Sequence, residues 1–182
     1  MSGFAGTLDG RQVVAGFWLR GLAMTLVTAL GAQVSMRLPF TPVPLTGQVF
    51  GVLLSGLVLT PAGAFAAQVA YLAGAALGLP WLAGGTAWIG GLVTAGYLAG
   101  FPLAAWVVGR LRPWIGPGWA CVGGVAAIHL PGVAWLWTVT GWPLPEAMVL
   151  GSLPFWPGDV LKGMLAILAA ARWAPPPERG WE

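Results

Sequence analysis

The run Gln48-Val-Phe-Gly-Val-Leu-Leu-Ser-Gly-Leu-Val-Leu-Thr-Pro61-Ala-Gly-Ala-Phe-Ala-Ala-Gln-Val-Ala-Tyr71-Leu-Ala-Gly-Ala-Ala76 contains no Asp, Glu, Lys or Arg. It belongs to a longer charge-free stretch, the 72 residues from 38 to 109 that separate Arg37 from Arg110. Over the whole chain of 182 residues, charged groups make up 7 % and apolar ones 58 %, with a mean hydropathy of +0.82. A soluble domain carries about 25 % charge, and no soluble fold dresses its surface with 72 uncharged residues. The chain reads as an all-α integral membrane protein in contact with membrane lipid.

Working outward from that run, Gly and Pro punctuation divides the chain into six helices, roughly 13–36, 46–59, 62–77, 92–111, 119–140 and 157–173. Pro61 separates the second from the third, Gly78-Leu-Pro80 ends the third, and Arg112-Pro113 follows the fourth. Pro131 predicts a kink in the fifth. The second, third and sixth are shorter than the ~20 residues of a full crossing. Irregular backbone is therefore expected at membrane depth, where it survives only against protein or a wet cavity. No polar linker divides the chain, so residues 1–182 read as one membrane domain.

Six spans put both termini on one side. Arg11, Arg20, Arg110, Arg112, Arg172 and Arg179 then share that side and Arg37 lies opposite, which makes the termini cytoplasmic. The net charge of +3 reflects these topology markers rather than a nucleic-acid surface. Trp18, Trp114, Trp119 and Trp173 fall at the inner boundary, and Trp81, Trp88, Trp142 and Trp156 at the outer one. The long connections, Arg37 to Gln48, Gly78 to Gly91 and Gly141 to Pro157, are all external. Small residues four apart (Gly47, Gly51, Ser55; Ala66, Ala70, Gly74, Gly78; Gly96, Gly100, Ala104) predict close helix packing.

Under those loops the sixth helix opens with Pro157-Gly-Asp159-Val-Leu-Lys162. Spacing of three places both charges on one face, and each costs about 2.5–3.5 kcal/mol at mid-bilayer on insertion scales. They serve either as a self-neutralising pair or as ligand contacts. Lys162 suits a ligand carboxylate. Asp159, kept ionised at a helix N-terminus, suits N–H groups of a urea or amide. Aromatic and aliphatic neighbours would bury an apolar middle. The expected ligand is a small organic acid with an N–H-bearing head.

Other chemistry is not supported. Lys162 is followed by Gly163, so there is no phosphate-cradling Gly-x-x-x-x-Gly-Lys-Ser/Thr loop. His129 and Cys121 have no companions at metal-ligand spacing, and no Gly-x-Ser-x-Gly elbow occurs. No catalytic residue, metal or cofactor is expected. His129 reads as a core histidine bonded to a carbonyl freed by Pro131, and Glu146 as solvated. An intramembrane enzyme would need Asp159 and His129 within hydrogen-bond reach.

Four segments in order resemble the BioY family: Thr41-Pro-Val-Pro-Leu-Thr-Gly-Gln-Val-Phe-Gly-Val-Leu-Leu54, Tyr71-Leu-Ala-Gly-Ala-Ala-Leu-Gly-Leu-Pro80, Gly96-Tyr-Leu-Ala-Gly-Phe-Pro-Leu-Ala104 and Leu153-Pro-Phe-Trp-Pro-Gly-Asp-Val-Leu-Lys162. Its members are the biotin-specific substrate-capture (S) components of energy-coupling factor (ECF) transporters. The resemblance implies a six-helix S component of the bacterial cytoplasmic membrane that binds biotin near its outer face as transported ligand. It also implies a coupling T protein and two ABC-type ATPases as partners. The family's binding Asp and Lys map onto Asp159 and Lys162. Thr46 and Gln48 would serve as lid and polar contact, Thr94 and Tyr97 would approach the ligand, and Gly21, Thr25 and Ala29 would dock the T protein. Relatives reading Gly-Pro-Thr-Gly-Gly-Tyr before the fourth helix differ from Gly91-Leu-Val-Thr-Ala-Gly-Tyr97 here. The alternative is an S component or stand-alone carrier for another vitamin-like acid.

Overall fold

The charge-free run folds as two helices joined by a two-residue corner, and the rest of the chain packs around the first of them. The computed structural model describes residues 10–87 and 92–173, and side chains from residue 16 onward within them. The side chain of Arg11, and Trp88, Gly91 and Arg179, lie outside the described residues. The chain is mostly helical: α1 (Gly10–Gln33), α2 (Gln48–Val58), α3 (Pro61–Ala76), α4 (Ala95–Thr140), α5 (Leu144–Gly151) and α6 (Trp156–Trp173). Two-residue strands β1 (Ser35–Met36) and β2 (Leu45–Thr46) pair antiparallel, Ser35 opposite Thr46.

The six expected helices do not map one to one onto the observed elements. Two described segments, Ala95–Thr140 and Leu144–Trp173, are long and apolar enough to cross a membrane. The expected fourth and fifth helices are the two arms of α4, which join without a loop at the single non-helical residue Gly116 (φ 79°, ψ 162°). Only glycine occupies that backbone region without strain, and Pro117 then restarts the helix with a preset φ. The two arms, 95–115 and 117–140, run antiparallel: Gly96 meets Pro131, Gly100 meets Ala127, and Gly124 meets Val108. The connection after residue 140 also carries α5, a helix the hydropathy pattern did not predict.

Burial explains the placement of α2. It is apolar on every side and buried from Gln48 to Leu57 apart from Phe50, the signature of a central helix. Its 11 residues reach only about 16 Å at 1.5 Å per residue. The missing length is supplied at its N-terminus by β2 and Gly47. The Gly47 N–H donates to the carbonyls of Gly31 (3.0 Å) and Val34 (2.9 Å), which satisfies backbone that lipid cannot. A Cβ on Gly31 would lie 2.7 Å from the Gly47 carbonyl oxygen, so this corner requires glycine. At the other end, Thr60 caps α3 by accepting from the Gly63 N–H at 3.2 Å, with Pro61 opening the helix.

The small-residue rows of α2 and α4 pack as expected: Gly51 lies against Thr28, and Gly96 and Gly100 against the second arm of α4. The row on α3 is displaced. Ala66, Ala70 and Gly78 are exposed, and the face turned inward is Ala64, Ala67, Gln68, Tyr71 and Ala75. Trp81, expected in the outer belt, stacks parallel on Tyr71 (centroids 6.4 Å apart) above Gly74.

Candidate functional site: a charged cluster on the wall of a cavity

Asp159 occupies the first turn of α6, behind Trp156-Pro157-Gly158, where the helix N-terminus favours its negative charge. Its side chain is 3 % exposed, and both oxygens are used. Oδ1 accepts from Lys162 Nζ at 2.9 Å. Oδ2 accepts from His129 Nε2 at 2.9 Å, across 30 positions of sequence. The far ring nitrogen, Nδ1, lies 2.8 Å from Ser152 Oγ, which is itself 3.0 Å from Trp156 Nε1. An indole N–H only donates and a carboxylate only accepts, so Ser152 accepts from Trp156, Asp159 accepts from Nε2, and Nδ1 is left to accept the Ser152 proton. Nε2 then carries the ring proton and donates to the carboxylate. His129 therefore bonds side chains, not the carbonyl freed by Pro131 as expected. That carbonyl is Ala127 O, which a Cβ on Gly100 would approach to 2.7 Å.

The pair is not sealed on itself. Asp159 and Lys162 border a cavity of about 490 Å³, within the ~300–1,000 Å³ range of small-molecule sites. The connection 35–46 and the turn around Leu82–Thr86 line one part of it. Residues 92–94, the first turns of α4, Ile128, His129 and Phe155 line the rest. Thr46, Gln48, Thr94 and Tyr97 all reach this wall, so the six residues expected from the sequence to meet a ligand surround one space. Arg37 stands exposed on the same lining, whereas Glu146 is exposed on α5 and does not line it.

Geometry refines each role. Thr46 Oγ1 donates to Gln48 Oε1 (2.8 Å), Gln48 Nε2 donates to Tyr71 Oη (2.6 Å), and Tyr71 donates to the Trp81 carbonyl (3.0 Å). This chain ties β2 to the connection after α3 on two sides of the cavity. Tyr97 is fixed by donating to the Gly151 carbonyl at 2.7 Å, and its ring fills the space that a Cβ on Gly132 would need. The ring meets His129 edge-on with centroids 6.1 Å apart. Thr94 precedes α4 without a side-chain capping bond. Sequence reading missed Tyr71, Ser152 and the bond from His129. A buried tyrosine and a lone histidine in apolar helices were the available signals, since each must find a partner there.

The expected docking row on α1 is turned into the chain. Thr25 is buried and donates to the Ala67 carbonyl at 2.8 Å, Ala29 is buried, and Gly21 is half-buried. The side of α1 left exposed carries Trp18, Leu19, Leu22, Leu26 and Leu30 instead. Among the described residues no group of three or more His, Cys, Asp and Glu is placed to hold a metal ion.

The model of the BioY family matches residues 11–177. The chain belongs to the BioY family. Similar proteins include the biotin transporter BioY of Rhizobium etli, 36 % identical over 169 residues, covering 82 % of this chain and 88 % of the relative. The biotin transporter BioY of Rhodobacter capsulatus is 37 % identical over 173 residues (84 % and 89 %). That of Thermotoga maritima is 34 % identical over 154 residues (81 % and 89 %). The fold matches the crystal structure of the S-component for biotin from an ECF-type ABC transporter, with a TM-score of 0.79 at 23 % identity, covering 91 % of this chain and 94 % of that one. BioY proteins are transporter components rather than enzymes. The contact between His129 and Asp159 thus meets the geometric condition for acid–base chemistry in a family that performs none.

Proposed function

We propose that this chain captures biotin in the cavity beside Asp159 and Lys162 and serves as the S component of an uptake system. The observation that carries the reading is the Lys162 ammonium, bonded once to Asp159 and bordering a cavity of about 490 Å³ in a BioY-family chain. An ammonium has three N–H donors and a carboxylate about four lone-pair sites, so capacity remains on both groups. Lys162 is suited to the carboxylate of biotin, the residual lone pairs of Asp159 to the ureido N–H groups, and Tyr97, Leu98 and Phe101 to the apolar bicycle. Thr46, Gln48 and Thr94 supply the polar rim. Biotin is the transported ligand, and no cofactor is involved.

On this reading residues 1–182 form one membrane domain crossing the bacterial cytoplasmic membrane six times, with the two arms of α4 as separate spans and both termini cytoplasmic. The site opens outward. A T protein and two ABC-type ATPases supply the ATP hydrolysis for which the chain has no phosphate loop. The exposed apolar side of α1 is available to lipid or to the T protein.

Mass spectrometry of small molecules retained by detergent-purified protein tests the ligand, with biotin as the expected species. Retention of another vitamin, or competition of labelled biotin by thiamin or riboflavin, would replace this assignment with the alternative of an S component or carrier for a different acid.

A further inference from the structure

His129 and Ser152 have no assigned part in binding, yet they form the only other side-chain support of the charged pair among the described residues. Three separate pieces of chain converge here: the second arm of α4 (His129), the turn after α5 (Ser152) and the first turns of α6 (Asp159, Lys162). On its other side Asp159 borders an apolar groove of about 330 Å³ lined by Trp119, Val122, Val125, Met164 and Ile167, among others. Among the described residues the side-chain donors to the carboxylate are His129 and Lys162.

We propose that His129, aligned by Ser152, is a positioning residue for ligand capture. By occupying Oδ2, it stops the Asp159 carboxylate from turning both oxygens onto Lys162. With one carboxylate oxygen on Lys162, two of the three ammonium donors stay free for a ligand anion. With both oxygens on it, one stays free. His129 therefore sets how much of the lysine the ligand receives, without spending either of its own nitrogens on the ligand. This rests on the biotin reading above.

The test compares biotin with its methyl ester, which lacks the anionic tail, on full-length protein in detergent. His129→Phe keeps the ring volume and removes both nitrogens. It is expected to bind biotin about tenfold more weakly and to lose about fivefold of the preference for acid over ester, as removal of a charge-assisted bond predicts. His129→Gln, whose amide N–H replaces the donor to Oδ2, is expected to restore both quantities to within about threefold of wild type. Ser152→Ala, a smaller change that serves if His129→Phe aggregates, is expected to shift both in the same direction by about threefold.

His129 is the only histidine in the chain, so tag-free protein labelled with ¹⁵N-histidine gives one pair of ring signals. They are expected to report a protonated Nε2 that changes on Asp159→Asn. A His129→Phe or Ser152→Ala protein with an unchanged acid-to-ester preference, whatever its absolute affinity, overturns the proposal. So does a ring proton found on Nδ1. Wild-type protein that retains no biotin defeats the ligand assignment itself, before any variant is compared, and the positioning role falls with it.

Discussion

Between α1, α2 and α3 lie Thr25, Thr28, Ser55 and Gln68, all buried, while the second arm of α4 and α6 bring together buried His129 and Asp159 with half-buried Lys162; both are polar sets in an apolar bundle, and they differ in charge and in access. In the first, Thr25, Thr28 and Ser55 donate to backbone carbonyls, and Gln68 Nε2 donates to Ser55 (2.8 Å) and Thr28 (3.2 Å). Gln68 Oε1 is left without a partner, and none of the four borders either cavity. Such a set holds helices in register. In the second, an ion pair lies against a cavity with donor capacity to spare. Replacing a buried ion pair with apolar residues is often neutral or stabilising. Stability therefore gives little reason to keep Asp159 and Lys162, and ligand capture gives a good one. Burial of polar groups alone does not mark a site; charge with unspent hydrogen-bonding capacity beside a cavity does.

The sharpest way to break this contrast is to neutralise the charged set. Lys162→Ala and Asp159→Asn are expected to reduce biotin affinity by at least about a hundredfold, since a buried charged partner left alone costs several kcal/mol. Equilibrium binding and detergent gel filtration check this, the second confirming that the proteins remain folded. Variants that still co-purify with biotin would place the site elsewhere. Gln48→Leu cuts the tie between β2 and Tyr71 while leaving Tyr71 bonded to the Trp81 carbonyl. About tenfold weaker binding is expected, from a hydrogen bond worth on the order of 1 kcal/mol and the freed strand.

Smaller effects should separate structure from binding. Gly116→Ala places a side chain at φ 79° and ψ 162° and is expected to destabilise the protein by about 1–3 kcal/mol. Biotin affinity should stay within about threefold, because the turn joins the arm ends far in sequence from the site residues on α4. Thermal unfolding followed by circular dichroism, with and without biotin, distinguishes the two. Gln68→Leu removes two hydrogen bonds together with an orphaned oxygen, so stability should change by no more than about 1 kcal/mol, with affinity unaltered. A large loss of affinity in Gln68→Leu would erase the distinction between the two clusters.

Local pattern carried much of this protein. Pro61 announced the boundary between α2 and α3, the four-residue rows of Gly51 and Gly100 announced close packing, and the spacing of three put Asp159 beside Lys162. Where pattern failed, the missing information was rotational. On α3, Ala66 and Ala70 are as small as Ala64 and Ala67, and nothing in the spacing tells which pair faces inward. The same ambiguity holds on α1, where Thr25 turns to the Ala67 carbonyl of α3 and Ala29 is buried. Pattern did separate the arms of α4 near Arg112-Pro113, but not how tight the join is, because helical backbone resumes directly on both sides of Gly116.

By itself the sequence determined that the chain lives in lipid, where Gly and Pro break its apolar run, and that two opposite charges share a face of the last helix. Hydropathy and spacing act within a single segment, over distances of a few residues. Tertiary structure alone decided that His129 reaches Asp159 across 30 positions and that Gln48 reaches Tyr71 across 23. It also decided that Thr46, Thr94 and Lys162 enclose one cavity. Those meetings depend on the rotation and depth of each helix against its neighbours, which side-chain packing of the assembled bundle sets and no periodicity along one strand of chain encodes.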